Sequence, residues 1–185
     1  MATQEPKTVA FVLYPGLTLL DLVGPLQVFA SLRRFSDQYR PVVVAERLEP
    51  MPTDGPLTVI ADHTFDDVAD PSVMIVPGGD APTIKAMGDP AIGDYLRHAA
   101  DTAPVVGSVC TGALILAAAG LLEGRQATTT GPTTGCWNAW APPTSPSGGW
   151  RTASSSPRPG CRPASTWPWP WSPASPTSRP PGWSR

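Results

Sequence analysis

The sequence predicts an α/β fold whose parallel sheet is covered on both faces. Three observations carry this. Short runs rich in Val and Ile recur at 8–13, 41–45, 57–60, 73–76 and 104–109. Segments of helical spacing alternate with them. The runs are apolar throughout, as strands buried on both faces must be.

Taken in order, Thr8-Val9-Ala10-Phe11-Val12-Leu13 is the first strand, stopped by the turn residues Tyr14-Pro15-Gly16. Leu19 to Arg34 carries Leu22, Leu26, Phe29, Ala30 and Leu32 at helical spacing, and Arg33-Arg34 suit a helix C-terminus. Pro25 lacks an N–H and crowds the preceding turn, which predicts a break near Gly24-Pro25. Pro41 to Ala45 is the second strand. Leu57 to Ile60 is the third, after an Asp54-Gly55 turn, and Val73 to Val76 is the fourth, ending at Pro77-Gly78-Gly79. Asp89 caps a helix that starts at Pro90 and runs to about Thr102. Pro104 to Val109 is the fifth strand, and Thr111 to Leu122 is an Ala/Leu-rich helix stopped near Gly124.

The bulk composition of the 185 residues is mild, with 41% apolar residues, 15% charged residues and a net charge of −2. It argues against a membrane-spanning protein, a collagen and a strongly charged nucleic-acid binder. The 25 prolines do not fit, since average usage predicts roughly nine. Their location explains them. Residues 1–130 hold all fifteen Asp and Glu against eight Lys and Arg, whereas residues 131–185 hold five Arg and no Asp, Glu or Lys. The last 55 residues contain thirteen Pro, ten Ser and all seven Trp, but no Leu, Ile, Val, Met, Phe or Tyr. Residues 7–129 therefore read as the folded domain and 130–185 as a separate Pro/Ser/Trp-rich tail.

Met1 to Pro6 lacks the basic start and apolar stretch of a secretion signal. No apolar run approaches the ~18 residues that span a bilayer. The cysteines at 110, 136 and 161 are odd in number and make no disulfide framework, so a reducing cytoplasm is the expected setting.

The tail admits two readings. One is a disordered low-complexity segment, which its tryptophans argue against. The other is a slipped reading frame, and the genetic code tests it. Read in the neighbouring frame, every Trp-Pro pair becomes GCC, alanine, and every residue before a Trp becomes Leu, Met or Val. Thr166 to Trp171 then reads apolar-Ala-apolar-Ala-apolar, which suits a buried helix. Trp137-Asn138 is forced to Glu and Trp140-Ala141 to Gly. With permitted codons, the stretch from Thr130 reads His-Trp-Ala-Tyr-His-Gly-Leu-Leu-Glu-Arg-Leu-Gly-Ala. A slip at or just before Thr130 is the expectation. On this reading the 185-residue chain has lost its last core elements, which predicts poor folding and little activity.

Three features at strand ends could carry chemistry. Ser108-Val109-Cys110-Thr111-Gly112-Ala113 runs strand, cysteine, small residues, helix, the pattern of a nucleophile elbow with Cys in place of Ser. The positive end of the following helix favours a thiolate. The blander alternative is an inert buried cysteine. Gly78 and Gly79 follow another strand, where backbone N–H groups can face a developing oxyanion, although Pro-Gly-Gly is also an ordinary turn. Asp21, flanked by leucines, could hydrogen-bond a thiol or substrate atom, or serve simply as a first-turn helix acid. His63, in a polar loop, and His98, in a helix, fit poorly as a base for Cys110, and no Cys/His/Asp cluster has metal spacing. No cofactor or metal is expected. The acidic front part gives no support to direct nucleic-acid binding.

Together, Leu19-Leu20-Asp21-Leu22-Val23-Gly24-Pro25, Val76-Pro77-Gly78-Gly79, Ser108-Val109-Cys110-Thr111-Gly112-Ala113 and Ala117-Ala118-Ala119-Gly120-Leu121-Leu122 resemble the ThiJ/PfpI family of the class I glutamine amidotransferase-like fold. The resemblance covers roughly 7–129. It implies a flavodoxin-like three-layer α/β sandwich with a mostly parallel sheet, incomplete here at the C-terminus, and a homodimer. It places the functional cysteine at Cys110, a nearby acid at Asp21, oxyanion-type donors at Gly78 and Gly79, and the residue after the nucleophile at Thr111. The family continues Ala-Thr-Thr-His-Trp where this chain has Ala127-Thr128-Thr129-Thr130-Gly131. The lost His-Trp is what the neighbouring frame restores.

The resemblance implies three functions. The first is an isocyanide hydratase-like enzyme that turns an isonitrile into an N-substituted formamide without a cofactor. The second is a ligand-sensing domain like those of AraC-type regulators. The third is a thiol redox sensor acting through Cys110. A small-molecule substrate or ligand is expected in each of the first two.

Overall fold

Three strand ends meet where the sheet changes direction, and the chain order shows how. A computed structural model describes residues 5–125 together with 127 and 129. The chain runs β1 (Lys7–Val12), α1 (Leu19–Leu32), β2 (Tyr39–Ala45), β3 (Met51–Pro52), β4 (Thr58–Val59), β5 (His63–Thr64), β6 (Val73–Val76), α2 (Ala81–Met87), α3 (Pro90–Thr102), β7 (Val105–Ser108) and α4 (Gly112–Ala118). Five strands form one sheet in the order β5-β2-β1-β6-β7, and every pair is parallel. This is the parallel α/β sheet that the apolar runs predict, in the flavodoxin-like form that the resemblance implies.

β1 lies at the centre, and Val9 to Val12 are fully buried, as a run apolar on both faces requires. From β1 the chain first builds outward through β2 to β5, then returns to add β6 and β7 on the other side. The switch point therefore lies between β1 and β6, where such sheets open a crevice at the carboxyl ends of their strands. α1 is fastened over the sheet by Phe29, whose ring meets Phe11 edge-on at 6.0 Å and Tyr39 at 5.9 Å. Phe65 stacks on Tyr95 of α3 at 4.3 Å, and the Tyr95 hydroxyl donates to the Val68 carbonyl.

The structure corrects four expectations. α1 passes through Pro25 without a break. Gly24 has no Cβ to meet the proline ring, which removes the usual clash of the preceding residue. The 57–60 run is not in the main sheet: β4 pairs antiparallel with β3 across the Asp54-Gly55 turn. The sheet's outer strand is instead β5, where the sequence predicts a polar loop around His63. α4 stops at Ala118, short of Gly124, because Gly120 adopts φ +82 and the Leu121 N–H reaches back to the Leu116 carbonyl, a glycine helix stop. The fifth strand and the Asp89-capped helix stand as expected, and the Asp89 carboxylate accepts from the N–H groups of Ala91 and Ile92. The short α2 carries no periodic signal in the sequence.

The expectations for residues 130–185, including Cys136 and Cys161, lie outside the described residues. No described helix is long and apolar enough to cross a membrane.

Candidate active site

Cys110 follows β7 directly and takes φ +52, the one positive φ at a non-glycine position among the described residues. An L-residue reaches that conformation only at a cost, which surrounding structure must hold in place. Here the hold comes from both sides. Val109 N–H donates to the Val76 carbonyl, and Gly112 N–H donates to the Val109 carbonyl. A side chain at Gly112 would put its Cβ 2.2 Å from the Val76 carbonyl oxygen and 2.8 Å from that of Pro77. Glycine at 112 is what lets the turn press against the end of β6. The cysteine itself is exposed to solvent. The elbow read from the sequence is thus present in the backbone.

Asp21 reaches the cysteine from the first turn of α1. Its carboxyl is hydrogen-bonded to Cys110 and, through Oδ2, accepts the Gly78 N–H at 3.2 Å. Burial raises the carboxyl above its ordinary 3.8, opposed by those two hydrogen bonds and helped by the nearby Asp54 charge. Asp21 is thus a first-turn helix acid whose carboxyl also meets the thiol.

Gly78 and Gly79 sit at the end of β6 beside the elbow. A Cβ on Gly78 would fall 2.8 Å from Asp21 Oδ2, Thr111 N and Thr111 Oγ1 alike. Their N–H groups are nevertheless not both turned toward a substrate. Gly78 donates to Asp21, and Gly79 donates to Thr111 Oγ1 at 3.0 Å. This corrects the expectation of two unengaged oxyanion donors. The short Pro77–Gly79 turn packs so closely on the elbow that its donors meet internal acceptors first.

Thr111 is buried, and its hydroxyl also donates to the Gly79 carbonyl at 2.6 Å. Two further residues complete this polar cluster without a signal in the sequence. Thr83 of α2 hydrogen-bonds the Gly79 carbonyl and stands 3.0 Å from the Thr111 hydroxyl. The Tyr14 hydroxyl donates to the Pro77 carbonyl at 3.1 Å and stands 3.3 Å from Thr83 Oγ1. Neither residue belongs to a motif, and only the fold brings positions 14, 83 and 111 together. The last described residues return to the site, where the Thr129 hydroxyl donates to the Cys110 carbonyl at 3.3 Å.

His63 and His98 are not part of the site: His63, on β5, has its Nδ1 3.1 Å from the Asp62 carboxylate, and His98, on α3, lies 4.0 Å from Asp70. Among the described residues no cluster of His, Cys, Asp or Glu could hold a metal ion.

A strand-end cysteine at positive φ, backed by a half-buried carboxyl on a five-stranded parallel sheet, defines an α/β protein of the nucleophile-elbow type. The chain belongs to the DJ-1/PfpI family, whose pattern it matches over residues 7–135. It is 40% identical over 127 residues to a protein from the cpoL 5′ region of Streptomyces lividans, covering 69% of this chain and 89% of that one. It is also 40% identical over 121 residues to the isonitrile hydratase of Pseudomonas putida, covering 65% of this chain and 51% of the hydratase. Among solved structures, a ThiJ/PfpI family protein from Pseudomonas syringae superposes with TM-score 0.63 at 36% identity, covering 67% of this chain and 50% of that one. The chain thus spans about half the length of both Pseudomonas proteins.

Proposed function

We propose that this chain carries a cysteine-dependent hydration site that converts an isonitrile to an N-substituted formamide. The observation that carries the reading is the pairing of Cys110, held at φ +52, with the Asp21 carboxyl. The 40% identity to an isonitrile hydratase supports the substrate class.

An isonitrile has an electrophilic terminal carbon that also needs a proton. The Cys110 sulfur adds to that carbon while a proton, passed through Asp21, is delivered to the same atom. The product is a thioimidate, R–N=CH–S, on the enzyme. Water then adds to the carbon, giving up one proton to Asp21. Nitrogen takes that proton, giving R–NH–CH(OH)–S, and as the C–S bond breaks the hydroxyl proton passes to the sulfur, so that R–NH–CHO leaves and the thiol is restored. The sum is isonitrile plus water. A carboxyl raised by burial suits both transfers, since it holds a proton closer to neutral pH than a solvated one. With the Gly78 and Gly79 N–H groups engaged internally, they position Asp21 and Thr111 rather than bind the reacting atom.

The acting form is proposed to be a homodimer in the cytoplasm. The outer side of α1 supports the dimer, exposing Leu20, Val23 and Val28.

The test is turnover of an aryl isonitrile by the chain read through in the restored frame, alongside the 185-residue chain. The reading expects formamide from the parent and a loss of at least about a thousandfold in Cys110→Ala. No formamide from either chain, or equal formamide from Cys110→Ala, contradicts it. Saturable binding of the isonitrile without turnover is the result that a ligand-sensing domain would give instead.

A further inference from the structure

We propose that Thr83 and Tyr14 are positioning residues for this chemistry: their buried hydroxyls lock the Pro77–Gly79 turn onto Thr111 and, through Gly78, fix Asp21 against Cys110. The proposal rests on the reading of Cys110 as the reacting group.

Thr83 and Tyr14 are about 1% exposed, so each hydroxyl must find its partners inside the protein. Three hydroxyl protons are available, and two backbone carbonyls receive them. Tyr14 serves Pro77, while Thr83 and Thr111 both serve Gly79. Thr111 Oγ1 receives the Gly79 N–H in return. The turn after β6 is thereby held at consecutive points. Pro77 is held by Tyr14 from the end of β1. Gly78 holds Asp21 of α1, and Gly79 is held by Thr83 of α2 and by Thr111 next to the cysteine.

Removing the Thr83 hydroxyl leaves Thr111 alone to satisfy both polar groups of Gly79. The turn can then shift, and Gly78 carries Asp21 with it. Small displacements of a reacting pair cost rate far more than they cost substrate binding. Burial raises the Tyr14 phenol well above its ordinary 10.0, so it stays a proton donor throughout the working pH range.

The experiment compares Thr83→Val, Thr83→Ser and Tyr14→Phe in both the 185-residue chain and the chain of restored frame. Two readouts are taken: the iodoacetamide alkylation rate of Cys110 against pH, resolved by peptide mass, and kcat and KM for an aryl isonitrile. Alkylation needs no isonitrile, so it tests the positioning even where the substrate class is wrong. In Thr83→Val the expected results are a kcat lower by about tenfold, a KM within about threefold, and an alkylation profile displaced toward that of the urea-unfolded chain. Tyr14→Phe shifts both in the same direction by a smaller factor. Thr83→Ser, which keeps the hydroxyl, returns to within about twofold of the parent. The proposal is overturned if Thr83→Val matches the parent in the alkylation profile. It is equally overturned if Thr83→Ser is as impaired as Thr83→Val, or if the parent's own profile in both chains coincides with that in urea.

Discussion

Cys110 and Asp21 divide the work of the site between strain and burial. The cysteine was legible in the sequence because a strand, a nucleophile and small residues followed one another without a gap. Gly112 could be read as permitting close approach, and the structure supplies the reason: its missing Cβ clears the Val76 carbonyl. The role of Asp21 was only half legible, since position in a first helical turn does not reveal which way a carboxyl points. The buried hydroxyls of Thr83 and Tyr14 were not legible at all, because nothing in their local sequence differs from ordinary helix and strand-end residues. Asp21 also makes a pH prediction. Its folded value is raised above 3.8, so the stability that its neutral form contributes is full below the unfolded value and is lost as pH rises through the folded one. Asp21→Asn stays uncharged and removes that loss. Between about pH 4 and about pH 7, the urea stability of Asp21→Asn should fall less than that of the parent. Equal declines would mean that the carboxyl is not held in a partly buried, neutral-favouring place.

At the scale of elements, apolar strands and the Asp89-capped helix are legible in the sequence, and short pieces are not. β1 is a buried run and β6 a partly buried one, both plainly apolar, and β7 follows them as an apolar run at the sheet's rim. β5 has two residues and α2 seven, too few to show a period. Leu57 to Ile60 looked like a core strand because a short apolar run does not state its partner. Its neighbour across Asp54-Gly55 decided the matter, and Leu57 and Ile60 remain exposed. α1 was expected to break at Pro25 and does not, and its unbroken length presents an apolar outer face. Leu20 is 73% exposed and Val28 66%, large apolar side chains left on the solvent side of α1. A charge placed there should separate the proposed dimer. Sedimentation of the restored-frame chain should give a dimer, and Val28→Glu should give a folded monomer. A parent that sediments as a monomer, or a Val28→Glu dimer as tight as the parent, would remove the α1 interface.

For the whole molecule, the described core is one continuous cluster from Val9 to Ala127. β7 is the last strand on its side of the sheet among the described residues, and Val105 there is half exposed. An apolar edge of that kind calls for cover. Residues 131–185 contain no Leu, Ile, Val or Met to provide it. The neighbouring frame does, with an alternating apolar helix and the His-Trp that follows Ala-Thr-Thr in the family. We therefore propose that the tail is a frameshift product, slipped at or before Thr130. Domains keep only about 5–15 kcal/mol of net stability, so the restored chain should unfold cooperatively and at a clearly higher Tm than the 185-residue chain. The nucleotide sequence across Thr128–Gly131 checks the slip itself, and stop codons in the neighbouring frame would refute it. The central claim, that Cys110 attacks the substrate carbon, is tested most directly by trapping. The restored chain is mixed with an aryl isonitrile, quenched in acid within one turnover, digested and weighed. The account predicts that the mass of one isonitrile is added to the peptide containing Cys110 and is absent from Cys110→Ala. Formamide production with no adduct at Cys110 at any quench time, or an adduct confined to another residue, would contradict it.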